Sequence, residues 1–230
     1  MKTIGLLGGM SWESTIPYYR ILNETVKERL GGLHSARLLL YSVDFAEIEA
    51  LQATGRWDES ARILGDAAAA LEQAGAELLV ICTNTMHKVA PEIQARISIP
   101  LLHIADATAD ALLEAGISVT ALLGTRYTMT QDFYRARLEA RGLRVLTPEG
   151  EDLDTVHRII YEELCLGVVS PDSRRAYQAV IGRLQDRGAQ AVILGCTEIG
   201  LLIHQEDVPL PVFDTTELHA RKAALTALGE

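Results

Sequence analysis

No apolar run in this chain approaches the ~20 residues that a membrane-spanning helix needs. Basic residues are in deficit, with 21 Lys and Arg against 31 Asp and Glu and a net charge of −10. That balance argues against a general role on nucleic acid or on an anionic membrane surface, although one local cation can still serve an acidic ligand. Cysteines are few and odd in number, so Cys82, Cys165 and Cys196 cannot all pair within the chain. The N-terminus, one lysine and then a glycine-broken apolar run, is a poor export signal and a good first strand. Together these features are expected of free thiols in a reducing cytoplasm. A P-loop GK[ST], a GxGxxG loop, an HExxH and a CxxC pair are all missing. The histidines His34, His87, His103, His157, His204 and His219 are scattered, without metal-ligand spacing. Neither a metal nor a nucleotide is expected. No linker rich in Pro, Gly or Ser interrupts the chain.

What is present is a pattern written twice. With 230 residues, 48% of them hydrophobic, the chain can build one large core or two small ones. Strand-like runs at Thr3–Leu7, Leu38–Val43, Leu78–Cys82 and Leu101–Ile104 alternate with helical stretches at Thr15–Leu30, Ser60–Ala74 and His87–Ala95. The series resumes with strands near Val119–Leu123, Leu143–Leu146 and Ala191–Leu194. Helices follow near Gln131–Ala140, Asp152–Leu166 and Asp172–Arg187. Such alternation predicts right-handed βαβ units and parallel sheets. The segment Gly75-Ala76 to Thr83 aligns without a gap on Gly188-Ala189 to Cys196. Leu6-Leu7-Gly8-Gly9 aligns on Leu122-Leu123-Gly124-Thr125, Tyr18 on Tyr134, and Ile99-Pro100-Leu101 on Val208-Pro209-Leu210. An Asp follows each member of the last pair, Asp106 and Asp214. We expect two similar Rossmann-like α/β domains with parallel sheets, related by a pseudo-twofold axis, with the active site in the cleft between them. The expected division is residues 1–104 plus 208–230 for the first domain and 105–207 for the second.

Ligands of open α/β sheets sit at the carboxyl ends of strands. The two aligned strand ends carry Thr83 and Cys196. A proton-transfer group on each wall of a cleft suits chemistry at a carbon approached from both faces. Cys196 follows Gly195 and precedes Thr197-Glu198 at an expected helix start, where backbone amides would lower a thiol pKa. Thr83 is a far weaker acid, and a strand-end threonine more often caps the next helix. Only its alignment with Cys196 singles it out. Cys82 is one residue out of register and is read as core. Gly5-Leu-Leu-Gly8-Gly9-Met10-Ser11 reads as a tight turn offering amides and the Ser11 hydroxyl to a small anion, with Gly124-Thr125-Arg126 as its twin. His87 could steer a proton to Thr83, though a surface or capping role is the plainer reading. Glu198 could pair with a substrate ammonium.

The motifs Gly5-Leu-Leu-Gly-Gly-Met10-Ser, Cys82-Thr-Asn-Thr-Met-His87 and Gly195-Cys-Thr-Glu198 resemble those of the aspartate/glutamate racemase family, in order and spacing across essentially the whole chain. The resemblance implies racemisation of an amino acid without pyridoxal phosphate, metal or other cofactor. It implies two cysteines flanking the substrate α-carbon, one removing a proton and the other delivering one. Here the second cysteine is Cys196 and the first position is Thr83, as in a subgroup with an unequal Thr/Cys pair. Substrate contacts implied by the family fall on Met10, Gln52, Asn84, Thr85, Thr197 and Glu198. Aspartate-specific members carry an Arg after the second strand, whereas Ser42–Glu49 has none and holds three acids. They carry a Lys in a helix of the second half, where Cys165 stands. Lys88 and Arg126 are the remaining cations near the motifs. Aspartate or glutamate is the favoured substrate, with neutral amino acids at broad specificity as the alternative. Further alternatives are a related isomerase or decarboxylase and a non-catalytic amino-acid-binding protein. The expected partner is a small amino acid rather than nucleic acid or membrane, and a homodimer is a candidate assembly.

Overall fold

The computed structural model describes residues 1–230 and divides them into two compact units. The first comprises Met1–Ile104 and His219–Glu230, and the second Ala105–Leu218. No helix is long and apolar enough to cross a membrane.

The first unit carries strands β1 (Ile4–Gly8), β2 (Leu38–Ser42), β3 (Leu78–Ile81) and β4 (Leu101–Leu102), and helices α1 (Trp12–Leu30), α2 (Phe45–Ala53), α3 (Trp57–Gln73) and α4 (Ala90–Gln94). Helix α5 (Ile104–Glu114) begins at its boundary. The second unit holds β5 (Val119–Gly124), β6 (Arg144–Leu146), β7 (Ala191–Gly195) and β8 (Val212–Asp214). Its helices are α6 (Arg126–Thr130), α7 (Asp132–Ala140), α8 (Glu151–Glu162) and α9 (Pro171–Asp186), and α10 (Thr215–Leu228) closes the chain. The sheets have orders β2-β1-β3-β4 and β6-β5-β7-β8, and every pairing is parallel. The two halves therefore share one topology.

Central strands β1, β3 and β7 are buried at every position, which is why they read as unbroken apolar runs. Their pleat divides the core of the first unit. Leu7, Leu79 and Ile81 face the α3 side, whereas Leu6, Val80 and Cys82 pack with Tyr18, Leu22 and Val26 of α1 and with alanines of α10. Cys82 is thus a core thiol, and burial pushes its pKa up. In α3 the small residues Ala61, Gly65 and Ala68 repeat along the buried stripe. In the second unit Ala121, Leu123, Val192 and Leu194 pack against α8 and α9.

The expected second boundary is corrected. Residues 208–218 belong with the second unit, because β8 pairs with β7 just as β4 pairs with β3. The chain changes unit after the fourth strand of each sheet. The two aligned tyrosines hold the helices that start there. Buried Tyr134 shares a 3.2 Å hydrogen bond with Thr108 of α5, and buried Tyr18 donates to His219 Nδ1 of α10 at 2.9 Å.

Candidate active site

In the first unit, β1 and β3 end side by side, with Leu7 level with Ile81. The loop after β1 is built on close approach. Gly9 has φ 89°, and a Cβ there would lie 2.3 Å from the Val43 carbonyl oxygen. The Gly9 amide donates to Thr15 Oγ1 at 2.9 Å, and Ser11 Oγ accepts from the Ser14 amide at 3.4 Å as the N-cap of α1. The Gly9 amide, read from the sequence as part of an anion cradle, is thus engaged in folding the loop onto α1, and Ser11 Oγ serves there as an acceptor. The twin loop behaves alike, since Thr125 Oγ1 accepts from the Thr128 amide at 3.3 Å as the N-cap of α6.

After β3 the chain passes through Cys82, Thr83 and Asn84 into a short 3₁₀ helix, Thr85–Val89. Thr83 is 8% exposed. Its hydroxyl does not cap that helix, for which Asn84 stands at the N-cap position without a side-chain cap bond. The backbone of Thr83 is pinned instead. Its carbonyl accepts from His87 Nδ1 at 2.8 Å, while His87 Nε2 accepts from the Ile104 amide at 3.2 Å. A backbone donor at Nε2 requires the proton on Nδ1, so both contacts select one neutral tautomer. His87 is buried, not a surface residue, and it holds the Thr83 main chain. Its ring packs on His103 at 4.5 Å and on His219 at 5.6 Å. Met10, Gln52, Asn84 and Thr85 are all buried at this end of the sheet. Gln52 Nε2 lies 2.9 Å from Met86 Sδ, and Met10 and Met86 share one core cluster, so the structure brings these expected contacts together within the unit.

In the second unit β7 delivers Gly195 and then Cys196. A Cβ on Gly195 would lie 2.7 Å from the Leu123 carbonyl oxygen, so only glycine lets β7 end this close to β5. The Cys196 thiol donates to Glu198 Oε2 at 3.0 Å, and the Thr197 hydroxyl donates to the same oxygen at 2.8 Å. All three residues are buried. The expectation of a lowered thiol pKa is overturned. The helix after Cys196 is a three-residue 3₁₀ turn, Ile199–Leu201, too short to carry a useful dipole. Burial and then the Glu198 carboxylate hold the thiol well above its ordinary value, so it rests protonated.

Two features escaped sequence reasoning. The half-buried Cys165, on the turn after α8, packs against the cluster containing Cys196 and adds to the upward push on that thiol. Buried Tyr177 donates to the Val156 carbonyl at 3.0 Å, and burial keeps it protonated. Only the aligned pair of strand ends hinted at this environment. The cations near the motifs both have neighbours already. Arg126 donates to Asp154 Oδ1 at 2.6 Å, and Lys88 Nζ stands 3.9 Å from the centroid of the Trp57 ring, its pKa lowered by burial. The aligned acids differ as well. Asp106 pairs with Arg137 at 2.7 Å, whereas Asp214 is half-buried, caps α10 through the Thr216 amide at 2.8 Å and has its pKa raised by desolvation. No three His, Cys, Asp or Glu side chains converge as a metal-ligand set would.

The sequence profile of the Asp/Glu/hydantoin racemase family matches residues 7–223. The chain is 23% identical to the broad specificity amino-acid racemase RacX of Bacillus subtilis (strain 168), over 98% of both chains. Among solved structures it is similar to a presumed Asp/Glu racemase from Yersinia pestis. That match has 59% identity and a TM-score of 0.92, over 99% of this chain and 100% of that one. An aspartate racemase homologue from Pyrococcus horikoshii OT3 is 39% identical with a TM-score of 0.86, over 99% of this chain and 100% of that one. Picrophilus torridus aspartate racemase shares the fold at 22% identity and a TM-score of 0.76, over 100% of this chain and 95% of that one.

Proposed function

The chain belongs to the Asp/Glu/hydantoin racemase family, and we propose that it interconverts the enantiomers of an amino acid by proton transfer at Cα, with Cys196 and Thr83 as the two carriers. The observation that carries this reading is the buried Cys196–Glu198 hydrogen bond at 3.0 Å. It supplies an acid and a base in one unit, held ready beside a strand end.

In the proposed cycle Cys196 starts as a thiol. Glu198 takes the thiol proton, and the thiolate then removes the α-proton, which leaves a carbanion on the substrate. The opposite face is reprotonated from the Thr83 side; Thr83 then recovers a proton from solvent and Glu198 releases to solvent the one it holds. In reverse, Thr83 gives a proton to solvent as Glu198 takes one up, Thr83 removes the α-proton, the carbanion takes its proton from the Cys196 thiol, and Glu198 returns its proton to the sulfur. Every proton lost by one group is gained by another, and no cofactor enters. Met10, Gln52, Asn84, Thr85, Thr197 and Glu198 line the substrate. Thr197, donating to Glu198 Oε2 at 2.8 Å, orients that carboxylate.

Aspartate or glutamate is the substrate class favoured by family membership. A neutral amino acid, turned over with broad specificity, is the second reading, favoured by the engagement of Arg126 with Asp154 and of Lys88 with Trp57. A side-chain carboxylate needs a charged or multiply hydrogen-bonded partner once buried. The deciding experiment is incubation in deuterated water with each enantiomer of aspartate, glutamate and a panel of neutral amino acids, read by NMR at Cα. Exchange confined to acidic amino acids supports the first reading, and exchange across the panel supports the second. Absence of exchange with every member defeats the proposal.

A further inference from the structure

Helix α10 starts where strand β8 ends, and the acid at that junction makes two separate contacts. Asp214 Oδ1 accepts from the Thr216 amide at 2.8 Å and from the Glu217 amide at 3.3 Å, which fixes the carboxyl group as the cap of α10. Its other oxygen does not serve the cap. A Cβ built on Gly200 would lie 2.5 Å from Asp214 Oδ2, so that oxygen occupies the place of a side chain at position 200. Gly200 does not take a positive φ, so the backbone does not require glycine there; the carboxyl group does. Asp214 is itself tied to β7. It lies level with Leu194, and the hydroxyl of the next residue, Thr215, donates to the Leu194 carbonyl at 2.7 Å.

Gly200 sits in the 3₁₀ turn Ile199–Leu201 that follows Glu198. That turn is bonded to the site through its backbone. The Leu201 amide donates to the Glu198 carbonyl at 3.0 Å, and the Ile199 amide donates to the Cys196 carbonyl at 3.1 Å. A shift of Gly200 is therefore passed to the two residues whose side chains meet at 3.0 Å, the Cys196 thiol and the Glu198 carboxylate. The first unit fills the same place differently. His87 stands four residues after Thr83, as Gly200 stands four after Cys196. His103 directly precedes α5, as Asp214 directly precedes α10. There the His87 ring packs on His103 at 4.5 Å, and His87 reaches back to the Thr83 carbonyl. In the second unit the turn has no side chain at that position, and the strand end supplies one.

We propose that Asp214 is a positioning residue for the Cys196–Glu198 pair: its Oδ2, set against Gly200, holds the turn that follows Glu198 so that the carboxylate meets the thiol. This inference rests on the proposed proton transfer through that pair. A helix cap needs one oxygen, and the hydroxyl of Ser or Thr provides it. The second oxygen is what distinguishes Asp214, and it meets the one glycine of the turn.

The pH profile of Cys196 alkylation by iodoacetamide, followed by mass spectrometry of the Cys196 peptide, tests this. It reads the pair whether or not the chain turns over an amino acid, so its failure and the failure of the proposed racemisation are separate results. Asp214→Ala is expected to move the profile to lower pH, toward that of Glu198→Gln, because Glu198 leaves the thiol. Exchange of the enantiomer facing Cys196 is expected to fall about 10²-fold, the cost of a misplacement on the order of 1 Å. Gly200→Ala is expected to move the profile in the same direction, from the other side of the contact. It leaves the cap of α10 intact, and so reads the contact even if Asp214→Ala folds poorly. Combining the two substitutions is expected to bring the profile back, since the new methyl group takes the vacated place. Asp214→Asn keeps the shape of both contacts and is expected to hold the wild-type profile. A role in capping alone would lower the melting temperature of Asp214→Ala and leave the thiol's profile in place. That outcome overturns the proposal, as does a Gly200→Ala profile identical to wild type, a double variant no nearer to wild type than Gly200→Ala, or an Asp214→Asn profile that matches Asp214→Ala.

Discussion

The Cys196 thiol donates to the Glu198 carboxylate at 3.0 Å, inside one unit, with both residues buried. A thiol so placed is an acid at rest rather than a ready nucleophile, because burial and a neighbouring negative charge both oppose its ionisation. The carboxylate that keeps the thiol protonated is also the group positioned to receive its proton. In the proposed cycle Glu198 therefore decides when Cys196 becomes a base.

Replacing Glu198 by Gln separates these two effects. Alkylation of Cys196 by iodoacetamide is expected to move to lower pH, since a charge that disfavours the thiolate is gone. Turnover of the enantiomer whose α-proton faces Cys196 is expected to fall roughly 10²–10⁴-fold, the usual worth of a positioned base. An unchanged alkylation profile would show that the contact does not govern the thiol.

Cys196→Ser is expected to abolish racemisation and exchange, as a hydroxyl is far harder to ionise than a thiol. Rates measured on each pure enantiomer, with folding checked by circular dichroism, provide the comparison. Full activity in this variant would remove Cys196 from the reaction.

The Thr83/Cys196 inequality is expected in the kinetics. The Thr83 hydroxyl can return a proton but removes one poorly, so the enantiomer facing Cys196 should exchange its α-deuteron much faster than its mirror image. Thr83→Cys is expected to narrow that difference. His87 holds the Thr83 carbonyl at 2.8 Å, so the main chain should keep its place in the variant. Equal exchange from both enantiomers in the wild-type protein would exclude Thr83 as the weaker partner.

A fourth prediction concerns pH and stability. His219 is buried between the Tyr18 hydroxyl, which donates to Nδ1 at 2.9 Å, and the Leu102 carbonyl, which accepts from Nε2 at 2.8 Å. Burial pulls its pKa down to about 4 from 6.5. Between these values the unfolded chain binds more protons than the folded one. Stability is therefore fully present above about pH 6.5 and is lost as pH falls toward 4, at about 1.4 kcal/mol per unit for this group. Urea midpoints at pH 7.5 and pH 5 measure the loss, and His219→Gln should reduce its slope. An identical slope in the variant would assign the loss to other groups.

Gly9→Ala is expected to destabilise the chain by roughly 1–3 kcal/mol, because φ is 89° and the new Cβ would strike the Val43 backbone. Thermal unfolding of the variant measures this. A neutral outcome would mean that the loop after β1 can shift.

The sequence by itself determined the parallel α/β pattern and its repetition. Buried central strands such as Leu78–Ile81 and Ala191–Gly195 must be continuously apolar, and the polar residues that end them must stand at the carboxyl edge of a sheet. It also separated Cys82 from Thr83, because side chains alternate across a strand. Tertiary structure alone decided the properties that depend on distance between remote residues. The pKa of Cys196 is set by depth and by the rotamer of Glu198, and the anticipated helix dipole gave way to a three-residue turn. The tautomer of His87 is set by the Ile104 amide, 17 residues away. The second boundary moved because β8 found β7, a pairing of backbone groups that local apolarity does not specify. Local periodicity records which face of an element is buried. It does not record which neighbour buries it, and charge, hydrogen bonding and proton affinity depend on that neighbour.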